Sequence, residues 1–272
     1  MQERMVRADG LWTRYLEEGS GPPLLLLHGA AQGSSADVWT RNLGPLASHG
    51  LRVIAVDQPG FGGSDDPPDF APSYRQNFIT PLLDALGISR VALVAHSQAG
   101  GLAIGYAIDH PERLTHLVTL STGSIMPPTP SGEMPISEAG ANPDAPEPTE
   151  DVIRGILEEQ LYHHDLITPE VIRQRLDVAV GHNHEAWQRR IRAQRAAGGG
   201  GGLPAWKRIA QVKVPMLAMW GAGDENLAAQ RVPVFREVYP SIQAELLDHA
   251  KHLMQWDRAD EVVRLTTEFL AS

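Results

Sequence analysis

The sequence of 272 residues contains no cysteine, and its basic side chains are fewer than its acidic ones, 23 against 33. The absence of cysteine excludes disulfide bonds, thiolate metal sites and a cysteine nucleophile. The formal charge of -10 leaves no excess of lysine and arginine to neutralise a phosphate backbone or an anionic membrane surface. We therefore expect neither nucleic acid nor a membrane as a partner.

Long apolar runs are also missing. Runs such as Leu24 to Leu27 are far shorter than the roughly 20 residues that cross a bilayer as a helix. The first residues, MQERMVRADG, include no apolar stretch of signal-peptide length, so we expect a cytoplasmic protein. With 42% apolar and 21% charged residues, the composition is typical of a globular protein with a packed core.

Short segments rich in leucine and β-branched residues alternate with helix-like segments. Because these segments are apolar on both faces, they indicate buried parallel strands. The candidate strands cover residues 22–29, 52–57, 90–97, 114–120, 214–221 and 243–249. Helical patterns cover 74–86 and 98–109, and an amphipathic helix covers about 257–270. The alternation predicts an α/β fold with a mostly parallel, doubly wound sheet.

The pattern changes after Ser121. Residues 122–149 are rich in proline, glycine and serine, which indicates a loop. From residue 150 to about 195 the apolar spacing becomes helical, and the polar, arginine-rich stretch 183–195 predicts a solvated helix. A glycine run at 198–202 indicates a hinge or loop. We expect an α/β core of residues 1–123 and 211–272, with a helical cap (lid) at 124–210.

Ser97 stands at the junction of a predicted strand, RVALVAHS, and a helical segment, QAGGLAIGYAI. Its neighbours Ala95, Ala99 and Gly100 are small. A nucleophile elbow has this form, because a tight turn raises the serine hydroxyl above the sheet and tolerates only small residues around it. The alternative is an ordinary serine that caps a helix. The strand-to-helix context favours a serine nucleophile.

A serine nucleophile needs a general base, and the base needs a carboxylate to orient it. Asp224 follows one late strand in MWGAGDEN, and His252 follows the next in LLDHAKHLMQW. This gives the chain order serine, acid, histidine that α/β-hydrolase triads have. Both side chains would lie at carboxyl ends of strands, beside Ser97.

Other assignments stay open at this point. His249 competes with His252 as the base, and the segment HAKH could instead supply two metal ligands at helical spacing. Glu225 and Asp57 are alternative acids. The paired histidines at 163–164 and 182–184 lack an acidic residue at metal-site spacing, and GFGGS at 60–64 lacks the pattern of a phosphate or dinucleotide loop. We expect no metal and no cofactor.

The oxyanion of an acyl-transfer reaction needs two backbone N–H donors. Gln98, the first residue of the predicted helix after Ser97, supplies one candidate. The turn after the first long strand, HGAAQG, supplies the other, for which we favour the amide of Ala30. A plain glycine turn is the alternative interpretation of that segment.

The segments LLLLHGA, VIAVDQPGFGGSD, VAHSQAGG, GAGD and KHLMQWDRADE together resemble α/β-hydrolases, specifically the meta-cleavage product hydrolases. The resemblance runs nearly end to end. It implies the α/β-hydrolase fold with a helical cap inserted after the sixth strand. It also implies hydrolysis of a carbon-carbon bond in a small-molecule substrate, a vinylogous 1,5-diketone from aromatic degradation. Members of this family tend to form dimers or tetramers, so a homodimer or homotetramer is expected.

The same resemblance implies substrate contacts. The segment LYHHDLITPEVIRQRLDVA is similar to the part of that family that carries a substrate-carboxylate arginine, which is Arg175 here. His96 stands where asparagine usually precedes the nucleophile, Ala95 and Ala30 replace glycines, and Leu253 replaces a common tryptophan. His96 and Leu253 are candidate substrate-binding residues. These departures keep a carboxylesterase or lactonase open as an alternative, and a ligand-binding protein without catalysis is a third.

Overall fold

The structure is a computed structural model and describes residues 1–133, 142–196 and 204–272. Within these ranges eight strands form one sheet in the order β1-β2-β4-β3-β5-β6-β7-β8. The strands are β1 (Gln2–Ala8), β2 (Leu11–Glu18), β3 (Pro23–Leu27), β4 (Arg52–Val56), β5 (Val91–His96), β6 (Leu114–Leu120), β7 (Met216–Gly221) and β8 (Gln243–Leu247). Strand β2 pairs antiparallel with β1 and β4, and all other neighbouring strands are parallel. The predicted mostly parallel sheet is confirmed.

The described helices are α1 (Thr40–Ala47), α2 (Pro72–Ala85), α3 (Gln98–Asp109), α4 (Glu150–Gln160), α5 (Pro169–Asp177), α6 (His182–Ala196), α7 (Ala205–Arg208), α8 (Ala228–Val238), α9 (Met254–Asp257) and α10 (Ala259–Leu270). Alternate leucines of β3 enter different apolar cores. Leu25 and Leu27 pack with α2, α3 and α8, whereas Leu24 and Leu26 pack with α1 and α10. Helices therefore cover both faces of the sheet, which explains why the strand sequences are apolar on both faces. None of the helices in the described ranges is long and apolar enough to cross a membrane.

The six predicted strands correspond to β3 through β8, and the hairpin of β1 and β2 precedes them. The apolar pattern did not predict this hairpin, because six of the seven residues of β1 are exposed or half-buried. Its turn is formed by Asp9 and Gly10, both with positive φ.

Helices α4 to α7 lie between β6 and β7, which confirms a helical cap after the sixth strand. Helices α4 and α5 are each preceded by an N-cap threonine, Thr149 and Thr168, whose hydroxyls accept hydrogen bonds from the first helical turn. Their apolar sides form a third core around Leu157 and Ile172, and that core includes Leu253 of the α/β part. The cap thus packs directly on the loop that carries His252. The boundaries 124 and 210 stay a prediction.

The expectation of a solvated helix at 183–195 is wrong for one face of α6. His184, Trp187 and Arg190 are buried there. The guanidinium of Arg190 lies 3.6 Å from the ring centroid of Phe61 and donates to the carbonyl of Gly60. Arginine packs its stem and planar head on aromatic surface, so an arginine-rich helix can still bury one face. The predicted hinge at 198–202 falls outside the described residues.

Candidate active site

Ser97 occupies a strained turn between β5 and α3, with φ 57° and ψ -126°. The turn fits only because its neighbours are small. A Cβ atom on Gly29 would come within 3.0 Å of the Ser97 Cβ, and one on Gly100 would meet the Thr122 hydroxyl at 2.0 Å. Thr122 in turn donates to the Ser97 carbonyl at 3.1 Å. Strain of this kind costs about 1–3 kcal/mol and persists where the surroundings enforce it.

A continuous hydrogen-bond chain connects Ser97, His252 and Asp224. The Nε2 atom of His252 lies 2.9 Å from the Ser97 Oγ atom. The Nδ1 atom of the same ring lies 3.1 Å from a carboxylate oxygen of Asp224. Because the carboxylate can only accept, Nδ1 carries the proton and Nε2 presents a lone pair to the serine hydroxyl. This arrangement can pass the serine proton to the imidazole.

Asp224 is buried beneath the histidine. Burial raises the pKa of its carboxyl, but the hydrogen bond from His252, the charge of that ring once it is protonated, and further bonds from Asn226 outweigh burial and lower the pKa overall. The backbone and side-chain N–H groups of Asn226 both donate to Asp224 Oδ1, at 2.9 and 2.7 Å. The carboxylate therefore stays ionised and fixed in place. Sequence reasoning missed Asn226, although a loop aspartate often accepts a hydrogen bond from the backbone amide two residues further on.

The alternative base and acids lie elsewhere. His249 is exposed, and its ring contacts that of Tyr162 at 5.3 Å between centroids. Glu225 is exposed at the mouth of the site. Asp57 is buried and accepts hydrogen bonds from the Ala36 amide, the Gly63 amide and the Arg14 side chain. In the ranges that the structure describes, no group of three or more acidic, histidine or cysteine side chains could hold a metal ion.

The two candidate oxyanion donors come from the start of α3 and from the loop after β3, which meet at Ser97. Gln98 is the first residue of α3, and the first amides of a helix have no acceptor within the helix. Ala30 is buried in the loop after β3, one residue beyond Gly29, which packs against Ser97. Their role as donors stays a prediction.

A cavity of about 650 Å³ opens at Ser97. Its described walls include Gln98, Leu102, Gln194 from the cap and His252. A second cavity of about 50 Å³ is lined by Arg175, Leu253 and Trp256 among others. The larger cavity has room for an organic group next to the nucleophile.

The structure places Arg175 at the smaller cavity and not among the described walls of the larger one. Its guanidinium donates to the Gln32 carbonyl at 3.3 Å and to the Gln160 side chain at 3.1 Å. Burial lowers the pKa of Arg175 to about 10, so it remains a cation at neutral pH. Arg175 therefore connects the cap to the loop after β3.

Residues 248–253, between β8 and α9, form the loop that carries His252 and are called the histidine loop. Hydrogen bonds that involve backbone groups attach this loop to the cap. The Leu253 amide donates to the Gln160 carbonyl at 2.9 Å. The Asp257 carboxylate accepts from the amides of Tyr162, His163 and Lys251, each at 3.0 Å. Sequence reasoning missed both Gln160 and Asp257, because nothing in their local sequence distinguishes them from other polar residues.

These features define a class of protein: a hydrolase built on a mostly parallel sheet, with a serine, a histidine and an aspartate gathered at one sheet edge. The family described as the alpha/beta hydrolase fold matches residues 22–146. The chain is 30% identical to 2-hydroxy-6-oxo-6-phenylhexa-2,4-dienoate hydrolase from Comamonas testosteroni, over 94% of this chain and 90% of that protein. It is 27% identical to a 2-hydroxy-6-oxononadienedioate/2-hydroxy-6-oxononatrienedioate hydrolase from the same organism, with the same coverage.

The chain thus belongs to the α/β-hydrolase family, with enzymes of the meta-cleavage product type as its relatives. Among solved structures, the meta-cleavage product hydrolase from Pseudomonas fluorescens IP01 superposes with a TM-score of 0.80 at 24% identity, over 98% of this chain and 97% of that one. At that identity the likeness concerns the fold.

Proposed function

We propose that the chain hydrolyses a carbon-carbon bond in a vinylogous 1,5-diketone, a ring-fission product of aromatic degradation. Ser97 is the nucleophile, His252 the general base and Asp224 the acid that orients the base. The observation that carries the proposal is the hydrogen-bond chain from Asp224 through His252 to Ser97. The relatives named as dienoate hydrolases support the choice of substrate class.

Each end of such a substrate has a candidate binding group. Arg175, at the smaller cavity, takes the dienoate carboxylate, and the larger cavity at Ser97 takes the acyl fragment. A guanidinium has five N–H groups in a planar fork. Two of them serve Gln32 and Gln160, so three are left for a bidentate contact with a carboxylate.

The reaction begins with ketonisation of the dienol in the site. Ser97 then attacks the distal ketone as His252 takes its proton, and the amides of Ala30 and Gln98 bind the oxyanion. Cleavage of the carbon-carbon bond leaves an acyl group on Ser97, and the departing carbon fragment takes a proton and leaves as a 2-hydroxydienoate. Water activated by His252 then releases the acyl group as a carboxylic acid.

The test follows loss of the visible absorbance of a ring-fission dienoate, with p-nitrophenyl acetate hydrolysis in parallel. We expect the wild-type protein to turn over the dienoate, and Ser97→Ala to lose this activity with an unchanged unfolding midpoint. Ser124→Ala is the control and should keep activity within about threefold of wild type, since Ser124 lies on the wall of the same cavity but has no base beside it. Turnover of the ester alone would reject the carbon-carbon hydrolase and favour the carboxylesterase or lactonase.

A further inference from the structure

His96 precedes the nucleophile, and it contacts the histidine loop instead of the substrate cavity. Its side chain is buried, and its Nε2 atom lies 2.9 Å from the backbone carbonyl oxygen of His252. The two imidazole rings meet edge to face, with centroids 4.9 Å apart. The described residues that line the large cavity do not include His96. The residue that resemblance suggested as a substrate contact therefore faces the general base.

The hydrogen bond to the His252 carbonyl fixes the tautomer of His96. A carbonyl oxygen only accepts, so Nε2 of His96 must carry the proton and donate it. Burial, reinforced by the positive charge of a protonated His252, lowers the pKa of His96 to about 3. The ring therefore remains neutral when His252 takes a proton from Ser97, and it adds no repelling charge next to the imidazolium.

The other edge of the His96 ring touches the loop after β3. A Cβ atom on Gly29 would lie 3.0 Å from Nδ1 of His96 and equally close to Cβ of Ser97. A glycine is needed for this approach. One flat side chain thus fills the space between the loop that carries Ala30 and the loop that carries His252, and it bonds to the backbone of the base itself.

We propose that His96 is a positioning residue for the general base: its Nε2–H group holds the backbone of His252 so that the imidazole of His252 faces the Ser97 hydroxyl. The inference depends on the proposed role of His252 but not on the identity of the substrate. The base would otherwise be held by the contacts of its neighbours with the cap, as in the bond from the Leu253 amide to Gln160.

Two amide substitutions separate this role from a packing role. The amide nitrogen of glutamine reaches about as far as Nε2 of histidine, whereas that of asparagine reaches only as far as Nδ1. We therefore compare His96→Gln, His96→Asn and His96→Ala, with His116→Gln as the control. His116 is a partly buried histidine near the amino end of β6, where it packs on Phe269, whereas Ser97 and His252 follow the carboxyl ends of β5 and β8.

The first readout is the rate at which a fluorophosphonate labels Ser97, since labelling requires the activated serine and no particular substrate. We expect His96→Gln and the control to stay within about threefold of wild type. His96→Asn and His96→Ala should slow labelling by about 10- to 100-fold, because a displacement of about 1 Å at a catalytic group costs up to about 10²-fold. On p-nitrophenyl acetate, kcat should fall by the same factor while KM changes less than twofold.

Equal losses in the glutamine and asparagine variants, or unchanged labelling in all three, would overturn the inference. So would unchanged labelling with a raised KM for the dienoate, which would make His96 a substrate contact. Unfolding midpoints identify any variant that fails to fold, and the labelling rates of the remaining variants then decide whether His96 positions the base. If wild-type protein is labelled but does not turn over the dienoate, the proposed substrate is wrong and the labelling comparison still tests His96.

Discussion

Two adjacent carboxylates, Asp224 and Glu225, differ at the residue scale only in where the turn after β7 points them. Asp224 is buried against His252, and Glu225 is exposed. Asp224→Asn would replace the carboxylate with a group that can hold the imidazole in the wrong tautomer, and such a change in a triad costs about 10⁴-fold in kcat. We expect a loss of that order, measured as steady-state kcat on p-nitrophenyl acetate.

Glu225→Gln serves as the matched control and should keep kcat within about threefold of wild type. A large loss in Glu225→Gln with a small one in Asp224→Asn would exchange their roles.

Arg175 has structural bonds of its own, so its proposed contact with the substrate needs a comparison between substrates. Arg175→Gln should lower kcat/KM for the dienoate about 10- to 100-fold more than for p-nitrophenyl acetate, because hydrogen bonds to charged groups contribute about 1.5–3 kcal/mol. Arg173→Gln, on the exposed side of the same helix, where Arg173 pairs with Glu170, should change neither value beyond twofold. Equal losses on both substrates would limit Arg175 to its bonds with Gln32 and Gln160.

Residues in strand-end loops were the ones whose proximity the sequence could predict. Ser97, Asp224 and His252 each follow a recognisable strand, and parallel strands bring their carboxyl ends to one edge. Gln160 and Asp257 could not be predicted in this way. Their function comes from backbone groups about 90 residues away, and no local pattern encodes which amide a carboxylate will meet.

At the scale of elements, the α4–α5 loop and the histidine loop meet at Asp257, the last residue of α9. Its carboxylate accepts from three backbone amides, one of them from Lys251, the residue before His252. Asp257→Ala should lower the free energy of unfolding by about 1–3 kcal/mol, because amides that lose their acceptor pay a desolvation cost. It should also lower kcat about tenfold, because the loop that carries the general base His252 would be held less firmly in place.

Urea denaturation and steady-state kinetics measure the two effects of Asp257→Ala. Asp260→Ala, an exposed change on α10, should alter stability by less than about 0.5 kcal/mol. A loss of stability with unchanged kcat would show that the contact stabilises the cap without placing the base.

The burial of each strand and helix explains which elements the sequence predicted. Strands β3 to β7 lie inside the sheet with helices on both faces and carry mostly apolar runs, whereas β1 is an edge strand facing solvent. Helix α6 was misjudged for a related reason. Its buried face contains His184 and Arg190, whose partners on the loops after β3 and β4 are known only once the cap is placed on the core.

At the scale of the whole molecule, two buried neutral histidines make stability depend on pH. His28 donates from Nδ1 to the Gly29 carbonyl and accepts from the Gln58 amide at Nε2, so a second proton would break the latter bond. Burial above all, with the nearby charges of Arg75 and Arg190, lowers the pKa of His28 to about 3. The pKa of His96 is lowered to about 3 as well. In the unfolded chain both would titrate near 6.5.

The direction in which stability changes with pH follows from proton uptake on unfolding. Below pH 6.5 the unfolded chain binds protons at His28 and His96, whereas the folded chain does not bind them until about pH 3. The free energy of unfolding therefore falls as the pH falls from 6.5 to about 3. Each histidine contributes a slope of about 1.4 kcal/mol per pH unit. The lowered pKa values of Asp37 and Asp224 add to the loss only near and below pH 4, whereas the raised pKa of Asp57 opposes the loss above pH 4.

Urea unfolding between pH 6.5 and 4.5 therefore measures mainly the buried histidines, and His116, whose pKa burial also lowers, adds to the loss in the same window. We expect the free energy of unfolding of wild-type protein to fall by about 2–3 kcal/mol per pH unit, and His28→Gln, whatever its stability at pH 7, to reduce that slope by about 1–1.4 kcal/mol per pH unit because the proton of one histidine is removed. The comparison of slopes cancels the packing cost of the substitution. An identical slope in His28→Gln would mean that His28 is already protonated in the folded protein, and its bond from the Gln58 amide could not then exist.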